Sequence, residues 1–271
     1  MDTAIKAKKT EKPLGICLSG GGALGFAHIG ALQALLENGI EPQVISGASM
    51  GAIVGTLYAA GVSPTEMMKI IEDDRLYRIT NLVSLKPSWF MKSGFSDHSK
   101  VLTLIKEMIP HNSFEGLQKK MFICVSNLNE AQWEIKSSGK ELNTWVSASA
   151  SIPGVFETYE AKGVFYVDGG LLNNMPAQPL QNLCSTIIGV DVLPHVAPAE
   201  LCKPKDVLTS SIRIVQHVNS CEGRALCNYL IEPRALKRYH EFRFDAYEKI
   251  YKRGYKDTVE YIRNHPDILS L

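Results

Sequence analysis

The sequence lacks several features that would each have narrowed its meaning. No apolar stretch runs unbroken for the roughly 20 residues that a membrane-spanning helix needs. The first residues, MDTAIKAKKTEKP, are polar and lysine-rich, with no apolar core of signal-peptide length. Both absences predict a cytoplasmic chain. Net charge is nearly missing as well: 29 Lys and Arg stand against 28 Asp and Glu. That balance offers no electrostatic footprint for nucleic acid and no strong pull toward anionic membranes, so no nucleic-acid partner is expected and any lipid contact should be mainly apolar. The six cysteines include no C-x-x-C pair, and Cys17 and Cys124 lie within apolar runs. Buried thiols are expected rather than disulfides or a metal site, and nothing in the composition asks for a cofactor.

What is present is enough apolar material for a sizeable core: 45% of 271 residues are hydrophobic. After a disordered start over residues 1–12, a single domain over 13–271 is expected. LGICLS (Leu14 to Ser19) reads as a short buried strand, followed by GGGALG and an apolar-periodic helix from about Phe26 to Leu36 that Asn38 and Gly39 end. QVIS then reads as a second strand, with a helix starting at Ser49. Strand and helix thus alternate twice before residue 62, which predicts an α/β domain with a parallel sheet.

Ser63, Pro64 and Glu66 match a capped helix start. Met121 to Val125, Gln132 to Ile135, Val164 to Asp168 and Thr186 to Leu193 read as further strands. The stretch from Asn81 to Phe95 is apolar without a clean period, and reads either as a cover over a site or as an irregular segment packed on the core. Beyond Pro233 a helix pair is expected to close the domain, with Gly254 as its break or kink and with Tyr239, Phe242, Ala246 and Ile250 on one side.

Three motifs could carry chemistry. Gly47-Ala48-Ser49-Met50-Gly51 matches G-x-S-x-G, in which a tight strand-to-helix turn presents a serine hydroxyl at the positive end of a helix. Packing glycines around a capping serine are the plain alternative. Gly20-Gly21-Gly22-Ala23-Leu24-Gly25 follows a strand and opens a helix, so its amides can form an anion-binding turn. A dinucleotide loop would need a carboxylate at the end of the second strand; that strand delivers Ser46 and Ser49 instead. Asp168 ends an apolar strand and is followed at once by Gly169 and Gly170, which leaves its carboxylate at a strand end.

The base that would serve Ser49 stays open on these residues alone. His195, His217 and His240 follow Asp168 in the chain order of a Ser-Asp-His triad, but an α/β-hydrolase needs more strands before its elbow than this chain supplies. His28, one turn beyond the glycines, reads as a packing or hydrogen-bonding residue. Ser46, Ser147, Ser149 and Ser151 lack flanking glycines on both sides and read as turn, cap or backbone-bonding serines.

Taken in order, GGGALG, GASMG and DGG resemble the patatin-like phospholipase family, with GFAHIGALQAL and SASASIPGVF as supporting text; the resemblance covers roughly Leu14 to Val192. It implies a three-layer α/β/α fold with a mainly parallel central sheet and a serine lipid acyl hydrolase without metal or cofactor. It further implies Ser49 as nucleophile, Asp168 as general base, and Gly20, Gly21, Gly22 and Gly25 as oxyanion donors. Gly47 and Gly51 would frame the elbow, and Gly169 and Gly170 complete the aspartate motif. The implied substrates are fatty-acyl esters such as phospholipids or lysophospholipids, with transient peripheral contact at the inner face of a membrane. One departure is visible: many members carry Arg or Lys where this chain has Leu24. An impaired lipid-binding or scaffolding protein on the same fold is the competing expectation.

Overall fold

Short, largely apolar runs are what a sheet covered on two sides requires. They build β1 (Leu14–Leu18), β2 (Val44–Ala48), β3 (Lys120–Asn127), β7 (Thr186–Val190) and β8 (Tyr229–Ile231), hydrogen-bonded in the order β3-β2-β1-β7-β8 and all parallel. An antiparallel extension is added by β4 (Gln132–Lys136), β5 (Tyr159–Ala161) and β6 (Val164–Asp168). A computed structural model describes residues 12–73, 99–194 and 204–271. The expected apolar cover at 81–95, His195 and residues 1–11 lie outside them.

Side chains alternate across each strand and so divide the core in two. Ile16, Leu18, Ile45, Ile123, Ile188 and Val190 face the larger cluster, under α1 (Phe26–Glu37), α2 (Met50–Ala59), α3 (Pro64–Asp73) and α7 (Tyr247–Asn264). Cys17, Val44, Phe122 and Ile187 face a smaller cluster with Met175, Leu180 and Cys184. The result is the expected three layers. The remaining helices are α4 (Ser99–Met108), α5 (Leu142–Ser149) and α6 (Pro204–Ala225). Among the described residues, no helix is long and apolar enough to cross a membrane.

The capped start of α3 is present as read: Glu66 N–H donates to Ser63 Oγ (3.2 Å) and Ser63 N–H to Glu66 Oε2 (2.9 Å). The chain end differs from expectation. Residues 234–246 form two short 3-10 turns, and α7 then runs unbroken through Gly254. Gly254 is no kink; it is buried where α7 crosses α1, and a Cβ there would strike the Ala27 carbonyl oxygen. Gly30 on α1 answers it, facing the backbone of Tyr251 and Tyr255. Glycine at both positions lets two helix backbones approach more closely than side chains allow.

Candidate active site

Sheet register creates the site. Ala48, the last residue of β2, pairs with Cys124 of β3, and Asp168, the last residue of β6, pairs with the next residue, Val125. Because β4 occupies positions 123–127 of β3 on one side, β2 and β6 lie end to end along the other. The chain leaving β2 therefore emerges beside the carboxylate that ends β6.

Ser49 is the residue that emerges. Its backbone is left-handed (φ 54°, ψ −125°), uncommon for a residue with a side chain and worth about 1–3 kcal/mol of strain. The flanking glycines make the turn possible, since a Cβ on Gly51 would strike the Leu18 carbonyl and one on Gly47 would crowd the Gly51 carbonyl. Ser149, at the end of α5, holds the strained backbone: its Oγ accepts from Ser49 N–H (2.9 Å) and donates to the Cys124 carbonyl (2.6 Å). Ser149 and Ser151 are thus backbone-bonding serines, as read; Ser151 Oγ donates to the Ser147 carbonyl at 3.0 Å.

Ser49 Oγ donates to Asp168 Oδ2 at 2.6 Å, while Gly170 N–H donates to Oδ1 at 2.8 Å. The second bond fixes which oxygen faces the serine. Both side chains are almost fully buried, and burial raises the Asp168 pKa to about 7 against the opposing pull of those two hydrogen bonds. A carboxylate that is ordinarily a weak base is thereby lifted into the range where it can exchange a proton at neutral pH.

The hydroxyl of Ser49 bonds this carboxylate and not a histidine. His28 is buried, donates Nε2–H to the Ser19 carbonyl (2.8 Å) and has its pKa lowered by burial to about 4, so it braces the glycine loop as a neutral ring. His240 is exposed at the protein surface, and His217 lines a different hollow, beside Asp191 and Arg224.

The glycine loop is more selective than its composition indicates. Gly20 N–H donates to the Asn174 carbonyl (3.2 Å), Ala23 N–H to the Glu241 carbonyl (2.8 Å), and Gly25 sits inside the 3-10 turn Gly22–Gly25. Of the four glycines expected as donors, Gly21 and Gly22 have amides with no protein acceptor among the described residues, and both line the same cavity as Ser49 and Asp168. Leu24 is fully buried in the core and does not line that cavity.

The cavity measures about 220 Å³. Ile152, Pro153, Val155, Leu193, Leu208, Ile212 and Phe242 make its walls apolar, and Arg213, Gln216 and Glu241 add polar groups. Sequence reasoning did not single out the wall residues from α6, Glu241 or Asn174, and it read Phe242 only as part of a closing helix. Among the described residues, no cluster of three or more His, Cys, Asp or Glu converges as a metal site would.

The patatin-like phospholipase family model matches residues 16–180, well over half of the chain. The chain belongs to the patatin-like phospholipase family. Among curated patatin-like relatives, Lysophospholipase NTE1 of Candida glabrata is 32% identical over 182 residues, covering 66% of this chain and 10% of that protein. An uncharacterised NTE family protein of Mycobacterium tuberculosis is 30% identical over 182 residues, covering 65% of this chain and 48% of that one. The chain therefore spans about a tenth of the yeast relative's length and about half of the mycobacterial one's. Among solved structures, VipD from Legionella pneumophila aligns with a TM-score of 0.49 at 17% identity, covering 89% of this chain and 67% of that chain.

Proposed function

We propose that this patatin-like chain is a serine hydrolase of fatty-acyl carboxylic esters, acting on phospholipids or lysophospholipids through Ser49 and Asp168. The observation that carries the reading is the 2.6 Å bond from Ser49 Oγ to a buried carboxylate, at a strained turn on an apolar-walled cavity. Ser49 Oγ attacks the ester carbonyl carbon as its proton passes to Asp168 Oδ2. The Gly21 and Gly22 amides, at the start of the 3-10 turn Gly22–Gly25, receive the oxyanion. Asp168 returns the proton to the leaving alcohol, and water, activated by the same carboxylate, releases the acid. The similarity to Lysophospholipase NTE1 of Candida glabrata supports the lipid ester class.

We further take residues 13–271 as one acyl hydrolase domain, because β7 and β8, beyond residue 180, complete the same sheet as β1. Hydrolysis of a short and a long p-nitrophenyl acyl ester by wild type, Ser49→Ala and Asp168→Asn tests the chemistry, with folding checked by circular dichroism. Turnover by wild type that falls to background in both variants is the expected result. Full activity in folded Asp168→Asn removes the assigned base.

A further inference from the structure

The cavity that holds Ser49 and Asp168 also contains a charged pair that the chemistry above does not use. Arg213, on α6, places Nη1 3.5 Å from Glu241 Oε2, and both residues line the cavity. The pair is loose. Glu241 is only 7% exposed, yet neither carboxylate oxygen has a hydrogen-bond partner among the described residues. The His240 ring places Nδ1 3.6 Å from the same Oε2, and no ion pair among the described residues reaches Oε1. A buried carboxylate with no donor is costly to maintain, so its position against a cavity calls for a donor from whatever enters.

Arg213 is complementary in kind. Its guanidinium carries five N–H donors in a planar fork suited to two oxygens of one phosphate, and the approach to Glu241 lies beyond good hydrogen-bond length. Glu241 is also tied to the reacting end of the cavity, since its backbone carbonyl accepts from Ala23 N–H at 2.8 Å, next to Gly21 and Gly22. A group held by this carboxylate is therefore held at a fixed place relative to the glycine loop.

We propose that Arg213 and Glu241 form a headgroup subsite for a zwitterionic phosphodiester lipid, with Arg213 binding the phosphate and Glu241 accepting hydrogen bonds from a primary ammonium. This rests on the hydrolase reading for its substrate class. A pair of opposite charges matches a headgroup of opposite charges, each satisfying what the other lacks. A headgroup with phosphate alone would leave its charge facing Glu241 with no intervening cation, so the same carboxylate that favours one lipid disfavours the other. The apolar wall made by Ile152, Leu208 and Ile212 suits the adjoining acyl chain.

The test uses ether-linked lysophospholipid analogues, which have no ester to cleave, bearing phosphoethanolamine or phosphoglycerol on the same alkyl chain. Binding to wild type, Glu241→Gln and Arg213→Gln is measured by titration calorimetry, with thermal melts to establish folding. Wild type is expected to prefer the phosphoethanolamine analogue by about tenfold. Glu241→Gln should bring the two analogues to within about twofold, and Arg213→Gln should weaken both by about tenfold. Equal binding of the two analogues by wild type, or a preference that survives folded Glu241→Gln, overturns the subsite. Ester turnover assayed in parallel separates the two readings: binding preference without turnover counts against the hydrolase, and turnover without preference counts against the subsite.

Discussion

Ser49 and Asp168 are 119 residues apart in the chain and meet at 2.6 Å because their strands, β2 and β6, end on successive residues of β3, Cys124 and Val125. Their contact is set by backbone pairing. Ser126 strengthens it by donating its hydroxyl to the Asp168 carbonyl at 2.8 Å. A side chain positioned by a sheet in this way has little freedom to drift, which suits a proton transfer that depends on a few tenths of an ångström.

The first prediction concerns pH. Asp168 can take the serine proton only when ionised, and burial holds its pKa at about 7. For an uncharged ester, kcat/KM should fall about tenfold per pH unit below that value and level off above it. A flat profile from pH 5 to 8 would contradict Asp168 as the base.

The same burial works against stability. Between the ordinary carboxylate range and about 7, the folded chain keeps a proton on Asp168 that the unfolded chain has released, so this group's contribution to stability declines as pH rises through that window. Asp168→Asn removes the buried charge while its amide can still bond Ser49 and Gly170. Its Tm should exceed that of wild type by about 5 °C at pH 8 and lie close to it at pH 5. Equal melting shifts at both pH values would disprove the account.

Ser149 is expected to matter without touching substrate. In Ser149→Ala, Ser49 N–H loses its acceptor at a strained position. Urea denaturation should show a loss of about 2 kcal/mol. Ester hydrolysis should lose kcat more than it gains KM, because the elbow is loosened rather than the cavity closed.

Gly254→Ala should cost about 3 kcal/mol, since the added methyl meets backbone on α1 that cannot rotate away. Gly139→Ala provides the contrast, as no atom lies within 4 Å of its would-be Cβ and only its left-handed backbone (φ +89°) resists, at about 1 kcal/mol. Comparable losses in the two variants would count against close packing as the reason for Gly254.

Much of this was legible in the sequence because the legible parts are local. A serine between glycines after a β-branched run, and an aspartate before two glycines, each declare a strand end within five residues. Their meeting is non-local, yet the order of motifs carried it through family resemblance. What escaped was the wall of the cavity. α6 keeps Val207, Leu208, Ile214, Val215 and Val218 exposed, so its apolar residues do not mark a core-facing stripe of the kind sequence reading relies on. Glu241 lies in a run of charged and aromatic residues that resembles a solvated helix face, and only the fold brings it against the glycine loop. Gly254 misled for a related reason: a glycine in a helical pattern reads as a breaker unless a second helix is known to press on it.

The helix crossing at Gly30 and Gly254 has a further consequence for how such a chain can be altered. The family-matched segment stops at residue 180, whereas Gly254 lies far beyond it and Gly30 well within it. The segment that the family model matches is thus smaller than the portion whose helices pack together. Grafting the first 180 residues onto a foreign tail would leave the groove over Ala27 and Gly30 without its matching ridge, so chimeras should be cut to inherit the two glycines as a set.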